Sequence, residues 1–356
     1  MNAIKVAAVG DICPGDHYFS LGHGAGSLDH AGRQRALREI AGILSGADIA
    51  IANLEGVLSS ISETTDAIES KAFRGPPEWA ASLRTAGFTA INVANNHVLQ
   101  HGEQAFRNSV SACRNAGLDV IGLAATNGLP IPVFRAIGSI EVALIGASFV
   151  PDKRRQRQHE TYASPHFDQL IEQVSTLSRS GRWVIVSLHM GTEGQYFPDR
   201  ETLSAGGALA AAGARVILVH HSHVFQPVLT INGAIVATGL GNCIFDLHWH
   251  RALVTSAAVT INLSNSTRDT FEVVPFRLTR HLSIEALPRR SRDRFIGDLA
   301  DRARRLLTPG DPCLDSPMWL QQRKIVHFTL NLGRGDTVAK LRFLGRKAAQ
   351  FLPLLK

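Results

Sequence analysis

The stretch RVILVHHSHV, residues 215–224, joins a short apolar run to three histidines within four positions. An apolar run of this length, bounded by polar residues, predicts a buried β-strand. Burying three imidazoles beside that strand would be costly unless each one is hydrogen-bonded or bound to a metal. The stretch therefore predicts a strand that carries a functional site at its carboxyl end.

The same pattern recurs at five other predicted strands. Each apolar run ends in side chains able to bind a cation or transfer a proton: Gly10-Asp11, Asn53-Leu54-Glu55, Asn95-Asn96-His97, His189 with Glu193, and Gly241-Asn242 with Asp246. Ligands of layered α/β folds bind at the carboxyl ends of strands. Six such ends predict a site for one or two divalent cations, and this donor set does not choose among Mn, Ca, Mg, Fe and Zn.

Strands and helices alternate along residues 1–280. Helical spacing of apolar residues predicts helices between the apolar runs, at residues 33–44, 102–115 and 167–177. Asn232-Gly233, between two apolar runs, is a strong hairpin signal. Early βαβ units followed by hairpins predict a layered α/β domain with mixed sheets. Strand-like sequence stops near residue 280, where we place a domain boundary; residues 281–356 are expected to form a basic, mainly helical extension.

The charge of the chain is unevenly distributed. The 356 residues hold 37 Lys+Arg and 30 Asp+Glu, a formal net charge of +7. Residues 277–356 hold 17 basic and 7 acidic side chains, a net of +10, which leaves 20 and 23, a net of −3, for residues 1–276. The basic tail could be a solvated helical cap, a pocket wall that supplies Arg or His to an anionic substrate, or a membrane-surface element. Nothing in it resembles a nucleic-acid-binding module, so nucleic acid is not expected as a partner.

The cysteines and the apolar runs exclude several classes of protein. The four cysteines form no CxxC pair, which excludes a zinc ribbon and a thioredoxin-type site. No apolar run reaches 18 residues, so no transmembrane segment is predicted, and the first apolar run is too short for a signal peptide. We therefore expect a cytoplasmic protein, and leave open whether it forms a homo-oligomer.

Seven motifs occur in order along residues 4–278: GD (10–11), NLE (53–55), FRGPPE (73–78), ANNH (94–97), HMGTE (189–193), HHSHV (220–224) and GLGNCIFD (239–246). This order resembles the CapA family of capsule biosynthesis, which is similar in fold to the calcineurin-like metallophosphoesterases. The resemblance implies a layered α/β/β/α sandwich, here followed by the helical extension. It also implies a link to poly-γ-glutamate.

The resemblance implies roles for individual residues. The metal ligands would be Asp11, Glu55, Asn96, His189, His221 and His223. Catalytic candidates are His97, as acid or electrostatic stabiliser, with Asp11, His189 and His223. Substrate-binding candidates are Asn53, Asn95, Arg74, Glu193, Asn242 and His220. On an extended segment alternate residues share a face, so we expect His221 and His223 to point together and His220 to point away.

The sequence also departs from the patterns it resembles. The Asp-x-His motif of the phosphoesterases is Asp11-Ile12-Cys13 here, so one imidazole is missing. Gln100 stands where the family commonly has aspartate, Ser222 replaces a proline and Cys243 replaces a phenylalanine. A smaller ligand set makes one cation flanked by His and Asp acid/base pairs at least as plausible as a two-metal site.

Three functions fit these residues. The leading hypothesis is a metal-dependent enzyme that acts on a peptide or poly-γ-glutamate-like amide, by hydrolysis or by epimerisation at Cα, using His and Asp as acid and base. The second is a phosphomonoesterase or phosphodiesterase. The third is a non-catalytic component of a capsule or peptide biosynthetic assembly. The expected partner is a peptide or an anionic polymer substrate.

Overall fold

Apolar sequence runs pair into two β-sheets whose facing sides form the centre of the molecule. The computed structural model describes residues 3–18, 20–66, 68–152, 161–306 and 331–351. Cys313 and Leu307, which belong to the predicted extension, lie outside the described residues. The strands are β1 (Ala3–Ile12), β2 (Ile49–Leu54), β3 (Val57–Leu58), β4 (Arg74–Gly75), β5 (Ala90–Asn92), β6 (Asp119–Ile121), β7 (Val133–Ile137), β8 (Ile140–Ser148), β9 (Trp183–His189), β10 (Ala214–His220), β11 (Val228–Ile231), β12 (Ala234–Ala237), β13 (Asn242–Ile244), β14 (Thr255–Ser264), β15 (Thr270–Leu278) and β16 (Ile284–Ala286).

The first sheet has the order β16-β15-β14-β1-β2-β5-β6, with β13 paired to β1. The second sheet has the order β11-β12-β10-β9-β8-β7. Strands β1, β2, β5 and β6 run parallel, as do β8, β9, β10 and β12, while the hairpins add antiparallel edges. The predicted mixed sheets are therefore confirmed, and the carboxyl ends of the central strands meet at one edge.

Helices cover the outer face of each sheet. In chain order they are α1 (His30–Leu44), α2 (Trp79–Thr85), α3 (Glu103–Asn115), α4 (Phe167–Arg179), α5 (Arg200–Ala211), α6 (Arg251–Val254), α7 (Arg289–Leu306) and α8 (Thr337–Phe351). The apolar sides of α1, α2 and α3 pack on the first sheet, and those of α4 and α5 pack on the second. The layered α/β/β/α sandwich is thus confirmed.

Side-chain alternation along the strands builds these layers. In β1, Val6 and Ala8 face the second sheet, while Ala7 and Val9 face the helices. Because successive strand residues point to opposite faces, a strand buried on both sides is apolar at every position. This is why the central strands appear in the sequence as short uninterrupted apolar runs.

Two boundaries differ from the prediction. Strand β1 continues through Gly10 to Ile12, because Asp11 and Ile12 still pair with β2 and β13. Strands also continue beyond residue 280, since β16 pairs with β15 and extends the first sheet. The helical extension begins at α7, whose Leu299 and Phe295 join the apolar core between the sheets. Of the helices in the described ranges, none has the length and apolarity needed to cross a bilayer.

Candidate functional site

Most of the predicted site residues meet at the carboxyl edge of both sheets, the exception being Arg74. Asp11 of β1 is in register with Asn53 of β2 on one side and with Asn242 of β13 on the other. In the second sheet, His189 of β9 is in register with His220 of β10. Parallel pairing therefore brings residues that are far apart in sequence to one place, as the strand-end pattern predicted.

Close backbone packing shapes this edge. The amide of Asp11 donates to the carbonyl oxygen of Gly241 at 2.9 Å, next to Gly10. A Cβ on Gly10 would lie 1.9 Å from that same oxygen. Gly241 itself has a φ of +63°, a conformation that favours glycine. The two glycines let β1 and β13 approach closely enough to hold Asp11 at the edge.

Asp11 contacts four of the predicted site residues. Its Oδ1 lies 3.2 Å from His220 Nδ1, and its Oδ2 lies 3.3 Å from His223 Nδ1. Asn53 Nδ2 donates to Oδ1 at 2.9 Å, and the backbone amide of His221 donates to Oδ2 at 3.2 Å. Burial alone would raise the pKa of Asp11, but hydrogen bonds and charge from His220 and His223 hold that pKa well below its usual value. Asp11 is therefore the fixed anion of the site.

Glu55 faces the same space without a donor. It is fully buried, and neither carboxylate oxygen accepts a hydrogen bond from the described residues. Its Oε1 lies 3.7 Å from His97 Nε2 and 3.6 Å from His223 Nε2. Burial, with the nearby charge of Asp11, raises the pKa of Glu55 well above its usual value. A cation between these groups would reverse that shift, because it favours the ionised carboxylate.

The histidine segment adopts a conformation that the sequence did not predict. His221 and His223 have φ values of 89° and 56°, so the segment is not extended and the alternation argument was wrong. His221 and His223 still converge on Glu55, but His220 is fully buried against Asp11 and does not point away from the cluster. Burial lowers the pKa of His221 to about 4. Burial also opposes protonation of His223, but the carboxylates of Glu55 and Asp11 outweigh it and raise the pKa to about 10.

His189 and the ANNH segment close the other side of the cluster. His189 Nε2 lies 2.9 Å from Asn96 Oδ1, and His189 Nδ1 lies 3.3 Å from Asn53 Nδ2. Burial and the neighbouring His221 lower the pKa of His189 well below its usual value. His189 is therefore a neutral imidazole, the form that binds metals.

His97 is the most accessible of the clustered imidazoles, with 23% of its side chain exposed. Its ring stacks on Phe73 at a centroid distance of 3.8 Å, and its Nδ1 lies 3.2 Å from Gln100 Oε1. Burial lowers the pKa of His97 to about 4. Phe73 and Gln100 therefore hold a neutral ring with Nε2 directed at Glu55. Neither was predicted as a site residue, although Phe73 lies in the FRGPPE motif. Its φ of 61° is uncommon for a bulky residue other than glycine.

The predicted ligands fit a divalent cation. Two groups have one donor atom from each residue within 4.8 Å of the others: Glu55 with His221 and His223, and Asp11 with Glu55 and His189. The groups share Glu55, and Asn96 adjoins through His189. The buried, unpartnered oxygens of Glu55 and the unpartnered Nδ1 of His221 are the atoms that a bound cation would satisfy.

Most predicted substrate-binding residues instead support the cluster. Asn53, Asn95 and Asn242 are buried, and their amides bond to Asp11, Asn53 and His223 respectively. Arg74 donates to the carbonyl oxygens of Ser70 and Ser59 and lines a different cavity, beside Lys71 and Pro76. Glu193 is exposed, and its charge acts on His97, His221 and His223.

Cys13, which stands where the phosphoesterase motif has a histidine, is an interior residue. The cysteine is fully buried, its Sγ lies 3.6 Å from the carbonyl oxygen of Gly15, and burial raises its pKa well above the usual value. It packs with Ala72, Phe73 and Phe245. Cys13 is therefore an apolar packing residue and no substitute for a histidine ligand.

Comparison with known sequences finds similar proteins over most of the chain. The sequence model of a family described as "Bacterial capsule synthesis protein PGA_cap" matches residues 5–247. The chain is 26% identical over 285 residues to "Capsule biosynthesis protein CapA" of Bacillus anthracis, which covers 77% of this chain and 67% of that protein. It is 24% identical over 280 residues to "PGA biosynthesis protein CapA" of Bacillus subtilis, covering 77% of this chain and 71% of that protein.

A solved structure is more distantly similar. It is the crystal structure of a 5'-nucleotidase precursor from Thermus thermophilus, with a TM-score of 0.47 and 12% sequence identity. The match covers 86% of this chain and 60% of that chain. At this TM-score and sequence identity the match supports no statement about activity. The α/β/β/α architecture is established by strand order and helix packing.

Proposed function

The chain belongs to the bacterial capsule synthesis protein family, and from this premise we propose an active site for a divalent-cation-dependent enzyme. This site, which we call the strand-end cluster, consists of Asp11, Glu55, Asn96, His97, His189, His220, His221 and His223. Its substrate would be an amide bond of a peptide or of a poly-γ-glutamate-like polymer. The observation that carries the proposal is Glu55, a buried carboxylate without a donor, placed 3.6–3.7 Å from two imidazoles. Such a group is costly in a protein interior unless it binds a cation or transfers a proton.

The cation would be held by Asp11, Glu55, His189, His221 and His223, with Asn96 beside them. When bound, a divalent cation polarises the amide carbonyl. His97 is the proposed proton-transfer group, because it is the most exposed imidazole and its Nε2 is aimed by the contacts of Nδ1 with Gln100. Asn53, Asn95 and Asn242 would orient the ligands. Glu193 is the proposed substrate contact, because it is exposed and its charge acts on His97, His221 and His223.

Hydrolysis is the reaction that we propose first, because a carboxylate and imidazoles around one cation are the usual groups for it. Epimerisation at Cα is the second candidate, and Cys13 favours it. Removing and returning a proton at a carbon next to a carbonyl needs a base and an acid but no water nucleophile. It therefore tolerates a site in which one imidazole is replaced by a buried thiol.

Replacing His97 with glutamine should lower turnover by about 10²- to 10⁴-fold, the usual contribution of a general acid or base. The full-length protein would be stripped with chelator, reloaded with Mn, Ca, Mg, Fe or Zn, and incubated in deuterated water with γ-linked and α-linked glutamyl peptides. Mass spectrometry would distinguish cleavage from a gain of one deuterium without cleavage. Replacement of the exposed His281 with glutamine is the control, with no change expected.

Three results would contradict the proposal. Unchanged turnover in the His97 variant would remove its assigned role. Cleavage of an aryl phosphate by a protein inert toward every amide tested would favour the phosphoesterase. Less than stoichiometric binding of every metal, measured by elemental analysis, would favour a non-catalytic role.

A further inference from the structure

Two adjoining cavities lie beside the strand-end cluster, between the body and helix α7. The first encloses about 600 Å³ and is lined by Tyr196, Phe197, Val224, Phe225, Asp298, Asp301, Arg302 and Arg305, among others. The second encloses about 620 Å³ and is lined by Arg277, Arg280, Arg294 and their neighbours. The cavities share His250, Arg251, Thr255 and Phe295, so they form one surface, which we call the arginine groove.

The groove starts next to the strand-end cluster. Val224 and Phe225 directly follow His223, and Tyr196 and Phe197 lie a few residues after Glu193. Val224 and Tyr196 also pack in one apolar cluster with Phe73 and Phe245, whose rings contact His97 and His223, so the first cavity adjoins the proposed active site.

Aromatic contacts hold two arginines of α7 in the wall of the first cavity. Arg302 lies over the ring of Tyr196 at 4.9 Å, and Arg305 lies over Phe197 at 5.1 Å. Arg302 Nη1 also donates to the carbonyl oxygen of Phe225 at 3.3 Å. Burial lowers the pKa of the partly buried Arg302 below its usual value. A positive charge taken out of water in this way gains most from an anion in the cavity beside it.

The charge of the lining has one predominant sign. Six arginines line the groove: Arg251, Arg277, Arg280, Arg294, Arg302 and Arg305. Asp298 and Asp301 are the acidic residues in the two linings, and Asp301 bonds to Arg304 outside the groove. Arg277 pairs with Glu285 at 3.0 Å. A cationic excess therefore remains along both cavities.

All six arginines lie after residue 247, outside the segment matched by the family model. The charged wall of the groove therefore lies outside the matched segment, whereas Tyr196, Phe197, Val224 and Phe225 lie inside it. The sequence left the basic tail open among a solvated cap, a pocket wall and a membrane-surface element. The position of Arg302 and Arg305 favours the pocket wall.

We propose that the arginine groove binds a carboxylate-bearing segment of an extended peptide whose reacting bond lies at the strand-end cluster. Carboxylates match the spaced, planar guanidinium donors, and the rings of Tyr196 and Phe197 hold two of these donors in the cavity wall. The position of the reacting bond rests on the proposed function, whereas charge-dependent binding in the groove does not.

A binding experiment tests the groove without turnover. Fluorescein-labelled α-linked and γ-linked decaglutamates would be titrated with the full-length protein in the presence of chelator, and a labelled decaglutamine serves as the neutral peptide. We expect a decaglutamate, in one linkage or the other, to bind at least tenfold tighter than decaglutamine. Replacing Arg302 and Arg305 together with glutamine should remove most of that difference.

The double replacement of Arg289 and Arg292 with glutamine is the matched control. It removes the same charge from the same helix, at exposed positions that line neither cavity, and should leave binding within about twofold. If the Arg302/Arg305 double variant does not fold, the single Arg302→Lys variant serves instead. It keeps the charge but loses the planar donors, and should bind severalfold more weakly.

The outcomes separate the two proposals. Equal loss in both double variants means that net charge alone attracts the peptide, which overturns the groove. Tighter binding of a single-stranded DNA decamer than of either decaglutamate overturns the peptide assignment. Charge-dependent binding by a protein without amide-bond activity keeps the groove and rejects the proposed function. Activity on amides without any preference for decaglutamate keeps the proposed function and rejects the groove.

Discussion

Replacing Asp11 with asparagine should abolish cation binding and lower amide turnover by about 10³-fold or more. Asp11 is the fixed negative charge of the site, with His220 and His223 at 3.2 and 3.3 Å. Asparagine keeps the shape of the side chain but offers no charge to a cation or to the imidazoles beside it. Because one partner of a buried charge pair is lost, we also expect about 3–5 kcal/mol of destabilisation.

Elemental analysis, kcat/KM for the best amide substrate and thermal unfolding measure these three effects. The control replaces Asp168, an exposed aspartate in the first turn of α4, with asparagine. That change should cost about 0.3–1 kcal/mol through the helix dipole and leave kcat/KM unchanged. A folded Asp11→Asn protein that keeps stoichiometric metal and full activity would contradict the assignment of the site.

The strand ends could be predicted because parallel sheets obey simple rules. Asp11, Asn53 and His189 each end an apolar run, and parallel pairing places such ends at one edge. The spacing between Asp11 and His189 along the chain carries no information about distance, yet Asn53 bonds to both. Apolar periodicity alone was enough to position these three residues.

Other parts of the site depend on backbone conformations that no spacing rule conveys. His221 and His223 take positive φ values because the segment turns sharply after β10 and carries both rings back toward Glu55. Asn53, Asn95 and Asn242 were predicted to bind substrate; in the structure they are buried, and their amides bond to Asp11, Asn53 and His223 respectively. A buried network of this kind depends on tertiary contacts, since each amide finds its partner on a different strand or loop.

The C-terminal extension shows the same limit of sequence-based prediction. Its charge could be predicted, but the contacts of its charged side chains could not. The sequence predicted a basic, mainly helical extension, and α7 is a helix within it that carries several arginines. The sequence could not indicate that Arg302 and Arg305 lie over Tyr196 and Phe197, because those contacts join segments about 100 residues apart. The composition of the extension therefore predicted its positive charge. Only tertiary packing places that charge beside the site.

Replacing Gly10 with alanine should prevent folding or cost more than about 4 kcal/mol, a range reached only by severe core substitutions. Gly10 is buried in β1, and an added Cβ would lie 1.9 Å from the carbonyl oxygen of Gly241 and 2.5 Å from that of Leu240. Both neighbours are backbone atoms, so no rotamer change can relieve the contact. Relief requires β1 and β13 to separate, which breaks the 2.9 Å hydrogen bond from Asp11 to Gly241.

The matched control is Gly42→Ala in helix α1, where an added Cβ would meet nothing within 4 Å. Alanine there should stabilise the protein by roughly 0.5–1 kcal/mol, because glycine loses more backbone entropy in a helix. Chemical denaturation of the two variants beside the parent protein measures both shifts. The same methyl group is added in both variants. The expected stability changes differ in sign because the methyl group meets backbone atoms at position 10 and open space at position 42. A Gly10→Ala protein as stable as the parent would mean that β1 and β13 do not approach as closely as the position of Asp11 requires.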